Sequence, residues 1–125
     1  MNYKLPKNKA IGGLEMALTK LEQMEELQSL LSKDEPYLLF KHSLTCPISQ
    51  AAFKRFNQYL EENKEINGYY LTVQESRPLS NYIEEHFSIK HESPQIFYLK
   101  NGHVKWHTSH EKITNDAIQR EVNFD

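Results

Sequence analysis

The sequence predicts an α/β domain built on a central mixed sheet of about four to five strands flanked by helices. Three observations carry that expectation. A nearly continuous apolar run, Tyr37-Leu38-Leu39-Phe40, has the character of a strand buried on both faces. Amphipathic helical segments alternate with such short runs along the chain. Near the C-terminal end, Asn101-Gly102 separates two strand-like runs, and Asn-Gly tolerates the positive φ angles of a tight hairpin turn.

Taken in order, residues 1–13, which end at Gly12-Gly13, read as a flexible leader, and residues 14–125 as one domain. Leu14 to Leu18 fits either a short strand or an extra helical turn. Thr19-Lys20-Leu21-Glu22 has the form of a capping box. Leu21, Met24, Leu27 and Leu31 follow at helical spacing, giving a helix to about Ser32. Pro36 introduces the apolar strand, which runs out through Lys41-His42-Ser43-Leu44-Thr45. Pro47 then starts a second helix, because proline in the first helical position forfeits no needed hydrogen bond. Ile48, Ala52, Phe56, Tyr59 and Leu60 form its apolar stripe, with Lys54, Arg55 and Gln58 toward water. Asn67-Gly68 marks a junction before a strand over Tyr69 to Val73. Leu79, Ile83 and Phe87 space a third helix. The hairpin joins Gln95–Lys100 to His103–His107, and a last helix lies within Glu111 to Val122. Early strands joined by helices should run parallel through right-handed crossovers, and the hairpin adds an antiparallel edge. That order is the thioredoxin-like layout.

Composition excludes several functions. The 125 residues carry 15 basic and 17 acidic side chains, a formal net charge of −2. A nucleic-acid binder should instead present a basic face. No run of roughly 18 apolar residues offers a membrane span. Met1 to Lys9 is polar and has no apolar signal core, so export is not expected. The single cysteine cannot form an internal disulfide. That fits a reducing compartment, the cytoplasm.

Cys46 stands between a buried strand and Pro47, where the unpaired N–H groups and partial positive charge of a helix start favour an anion. A thiolate is the species that attacks disulfides. Ser49, with its hydroxyl and amide, lies one turn on, within reach of the sulfur. Redox proteins of this fold often place a second, resolving cysteine at that position, so a one-cysteine mechanism follows here. Lys41 and His42 are each candidates to add positive potential; alternatively Lys41 is solvated and His42 caps a loop. Downstream, His91-Glu92-Ser93-Pro94-Gln95 precedes the hairpin. In thioredoxin-like folds a proline at this junction is cis and faces the reactive cysteine, which would let Ser93 pair with a substrate peptide as an added strand does. A metal is not expected: His103 and His107 would stand about 13 Å apart along a strand, and no CxxC or HExxH accompanies them or His110.

Lys41-His42-Ser43, Thr45-Cys46-Pro47-Ile48-Ser49, Arg77-Pro78-Leu79-Ser80-Asn81, His91-Glu92-Ser93-Pro94-Gln95, Asn101-Gly102 and Ser109-His110 together resemble the monothiol bacilliredoxins of the YtxJ type. The resemblance runs from Thr19 to Ile118; the leader before it departs from the family pattern. It implies a cytosolic thiol–disulfide oxidoreductase that removes bacillithiol from protein mixed disulfides in the response to oxidative stress. Cys46 would be the nucleophile and Pro94 the cis-proline, with Thr45, Pro47, Ile48, Ser49, Lys41 and His42 in support. The segment from His91 to Gln95 would dock substrate. Lys41, His42 and His91 are candidates to meet the polar groups of bacillithiol. No cofactor is implied, only bacillithiol as co-substrate. Partners would be bacillithiolated clients and a low-molecular-weight thiol, with neither nucleic acid nor membrane. Two other readings stand beside this one. The first is a glutaredoxin-like iron–sulfur carrier, which the stiff Pro47 disfavours. The second is a redox-inactive binding module with Cys46 buried.

Overall fold

The computed structural model describes residues 10–11, 14–15 and 18–124. In chain order the elements are β1 (Ala10–Ile11), β2 (Leu14–Glu15), β3 (Leu18–Lys20), α1 (Met24–Leu31), β4 (Tyr37–His42) and α2 (Pro47–Glu62). There follow β5 (Asn67–Thr72), α3 (Arg77–Phe87), β6 (Gln95–Lys100), β7 (His103–Ser109), a 3-10 turn at His110–Lys112, and α4 (Asn115–Phe124). β1 and β2 form a separate antiparallel pair. The main sheet has five strands in the order β3-β5-β4-β6-β7. β3, β5 and β4 run parallel, and β6 and β7 join antiparallel, so the mixed thioredoxin-like sheet is present.

β4 lies at the centre because its side chains can be buried on both faces, and all six residues are buried. Tyr37 and Leu39 pack with Leu27, Leu30, Leu79 and Ile83 under α1 and α3. Leu38 and Phe40 pack with Ala52, Phe56, Leu60 and Ile118 under α2 and α4. The turn between β6 and β7 uses Asn101 at φ 55° and Gly102 at φ 76°, both left-handed, as the Asn-Gly pair requires.

Several expectations are corrected. Thr19 and Lys20 belong to β3, not to a helix cap, and the capping box is formed instead by Gln23 and Glu26. Leu21 is core but precedes the helix. The doubtful Leu14 to Leu18 stretch contributes β2 and the first residue of β3, while residues 16–17 lie outside the described residues. The leader over 1–13 also lies outside them, apart from β1. Asn67-Gly68 is inside β5 rather than at a junction. Gly68 serves close packing there: a Cβ on it would overlap Leu60 Cδ1 and sit 3.0 Å from Phe56 Cζ. On α2, Ile48 does not join the apolar stripe; it is 40% exposed. Arg55 is partly buried and donates from Nε to the Ile113 carbonyl at 3.0 Å, pinning the turn before α4 to α2.

Candidate active site

The chain leaves β4 at His42 and re-enters regular structure at Pro47, so residues 43–46 form a short arch over the carboxyl end of the sheet. Cys46 is the N-cap of α2, with extended φ −109° and ψ 116°, and Pro47 fills the first helical turn. The Cys46 carbonyl accepts the Gln50 N–H at 3.0 Å. Its side chain makes no capping hydrogen bond. The thiol is free and partly exposed, which contradicts the reading of a redox-inactive module with the cysteine buried. Leu44 and Ile48 on either side of it are the large apolar side chains left exposed among the described residues, at 43% and 40%.

Ser49 is fully buried one turn into α2. Its Oγ accepts the Ser43 N–H at 2.8 Å and lies 2.8 Å from His42 Nδ1. The hydroxyl expected to reach toward sulfur is thus engaged in tying the helix start to the end of β4. His42 ends β4, its ring stacks on Phe53 at 4.5 Å, and burial pushes its imidazole below the ordinary value.

Gln74, two residues past β5, holds the arch from the neighbouring strand. Its Oε1 accepts the Leu44 N–H at 3.0 Å, and its Nε2 donates to Ser43 Oγ at 2.9 Å and more weakly to Thr45 Oγ1 at 3.4 Å. Sequence reading missed this residue. Its signal is positional, since functional groups gather beyond the carboxyl ends of adjacent parallel strands.

Lys41 is not solvated. It is fully buried on the face of the sheet covered by α3, and burial lowers its ammonium to about 8, against the pull of Glu84. Nζ lies 3.1 Å from His91 Nδ1, which is also 3.3 Å from Ser80 Oγ. Glu84 Oε2 accepts the His91 backbone N–H at 2.9 Å. Burial, then the charge of Lys41, push the His91 imidazole below its ordinary value. Glu84 escaped the sequence reading and Ser80 entered it only within the Arg77–Asn81 motif with no role of its own, although a spacing of four puts them on one face of a helix.

The segment 91–95 reaches the site because Gln95 pairs with Lys41 across the antiparallel β4–β6 ladder. The Ser93–Pro94 bond is cis, as expected from the sequence. Gln95 is buried and staples the segment, donating to the Lys90 carbonyl at 3.0 Å and accepting the Glu92 N–H at 3.2 Å. The Pro94 carbonyl accepts the His110 N–H at 3.1 Å, and Glu92 Oε1 stands 3.5 Å from His110 Nε2. Lys41, His91 and the cis-proline segment thus form one cluster, while His42 and Ser49 brace the cysteine arch from the α2 side. Among the described residues no three His, Cys, Asp or Glu side chains converge as a metal-binding group. No helix among them is long and apolar enough to cross a membrane.

A thiol so placed, without a second thiol one turn on, can accept a group from a disulfide but cannot expel it internally. Comparison with known proteins bears on this arrangement. The profile described as "Monothiol bacilliredoxin BrxC" matches residues 17–118. A solved structure described as a candidate oxidoreductase with a thioredoxin fold is 37% identical, with 85% of this chain and 94% of that one covered and a TM-score of 0.79. Thioredoxin from Trypanosoma brucei brucei shares the fold at 8% identity, covering 93% of this chain and 96% of its own, TM-score 0.73. Oxidised thioredoxin O2 from Arabidopsis thaliana does so at 14% identity, covering 88% and 96%, TM-score 0.71.

Proposed function

The chain belongs to the monothiol bacilliredoxin family, and from that premise we propose that it removes bacillithiol from mixed disulfides on client proteins through Cys46. As a member of that family with a thioredoxin fold, it is a thiol oxidoreductase. The observation that carries the finer reading is the pairing of a partly exposed Cys46 with a buried, hydrogen-bonded Ser49 at the next turn. Such a site takes up one group and then waits.

Two exchange steps make up the reaction. The Cys46 thiolate attacks the bacillithiol sulfur of the client disulfide. A sulfur–sulfur bond forms at Cys46, and the client thiolate leaves with the electron pair of the broken bond. A second low-molecular-weight thiolate then attacks the bacillithiol sulfur on Cys46, giving a small disulfide and freeing Cys46. The partial positive charge of the α2 N-terminus favours the anionic sulfur at the start of the first step and at the end of the second. Leu44 and Ile48 offer apolar contact to a client, and the backbone before Pro94 offers it a strand edge. A reducing cytoplasm is the compartment in which a lone exposed thiol of this kind stays usable.

The test is the intact mass of reduced protein incubated with equal oxidised bacillithiol and oxidised glutathione. The reading predicts one bacillithiol adduct, on Cys46, in clear excess. A dominant glutathione adduct, or no adduct, would overturn it.

A further inference from the structure

A buried ammonium needs an acceptor, and the acceptor that Lys41 finds is a ring nitrogen. An ammonium group has donors only, so a charged Lys41 Nζ at 3.1 Å requires the His91 Nδ1 to be unprotonated. Ser80, itself 2% exposed, adds its hydroxyl to the same nitrogen at 3.3 Å. The proton of the neutral ring must then reside on Nε2. With Nδ1 engaged by these buried groups, Nε2 is the ring's remaining donor, on a residue that is partly exposed.

We propose that His91 binds a carboxylate of the small thiol carried on Cys46, with Lys41 and Ser80 as positioning residues that force its proton onto Nε2. The proposal deepens the function given above and rests on it. A lysine ammonium hydrogen-bonded to the far side of the ring polarises that N–H, which makes it a better donor to an anion than an isolated neutral imidazole. The surrounding charges leave the donor available. From β4 comes Lys41, and from α3 come Arg77 and Glu84, with Glu92 next in sequence. Glu84 is occupied by the His91 backbone N–H, and Glu92 leans toward His110. Lys41 is charged through the neutral range, since burial brings it down only to about 8.

Two symmetrical disulfides of similar size test this: that of 3-mercaptopropionate, which bears carboxylates, and that of 2-mercaptoethanol, which is uncharged. In each the Cys46 thiolate attacks one sulfur, the new bond forms at Cys46, and the other thiolate departs with the electron pair. The ratio of the two rates should fall about three- to tenfold in both Lys41→Met and His91→Phe, the value of one ordinary hydrogen bond at a partly solvated site. Any effect of either variant on the presentation of Cys46 itself should slow both disulfides alike and cancel in the ratio. Nitrogen-15 spectra of the histidine-labelled wild-type protein at neutral pH should place the His91 proton on Nε2, and Lys41→Met should give a mixture of tautomers. If Lys41→Met fails to fold, the wild-type spectrum and the His91→Phe ratio decide the matter. A proton on Nδ1 in the wild type, or a ratio that does not move, overturns the assignment of His91 alone. If neither disulfide reacts with wild-type protein, the function proposed for Cys46 falls, and this assignment with it.

Discussion

Ser49 Oγ lies 2.8 Å from His42 Nδ1 and accepts the Ser43 N–H at the same distance, so the position of a resolving thiol is occupied by a structural clamp. Ser49→Ala should leave the buried Ser43 N–H unpaired and cost roughly 1–3 kcal/mol, read as a lowered denaturation midpoint. Ser49→Cys should weaken the clamp similarly, because sulfur is a poor acceptor, yet place two sulfurs one turn apart. Mild oxidation should then remove two hydrogens of mass within the monomer. Disulfide-linked dimers alone would contradict the placement of this helix start.

Gln74 bonds three consecutive residues of the arch from the end of β5. Those bonds are partly solvated, so Gln74→Ala should cost about 1 kcal/mol or less in stability. It should also slow exchange at Cys46 several-fold in protein that is still fully folded, because the arch that presents the sulfur is loosened. Rates with a small disulfide, set beside thermal melts, separate the two effects. An unchanged rate in the folded protein would reduce Gln74 to a fold residue.

Lys41 predicts a pH dependence. Its folded value of about 8 lies below its ordinary 10.5. Between these limits the unfolded chain holds a proton that the folded chain has released, so stability rises with pH across this window from this group. Below about 8 both states are charged and the contribution is flat. Lys41→Met removes the buried charge, so its stability relative to wild type should be greatest near neutral pH and decline toward pH 10. Urea midpoints of both proteins across that range check it, and a constant difference would contradict it.

Much of this was legible in the chain. Tyr37–Phe40 announced the central strand because four apolar side chains in succession suit only a two-sided core, and Asn101-Gly102 fixed the hairpin through its backbone angles. Cys46-Pro47 marked a helix start by local chemistry. What escaped depends on partners distant in sequence. β3 is three residues long and exists through parallel pairing with β5, so Thr19-Lys20-Leu21-Glu22 imitated a cap. Lys41 read equally as a charge near the sulfur or as the solvated end of a strand, and its acceptor is 50 residues away. Gln74 meets the arch about 30 residues upstream, across adjacent parallel strands. Gly68 resembled a turn residue, although the constraint on it comes from the side chains of α2.

The central claim is that one thiol carries the displaced group until another thiol arrives. It is tested most directly by counting turnovers on a bacillithiolated client. Reduced protein alone should free client thiol in a burst equal to the amount of Cys46 present and then stop, with bacillithiol retained on Cys46. Added low-molecular-weight thiol should restart release and sustain it. Continued release with no added thiol, or no burst at all, would contradict the account.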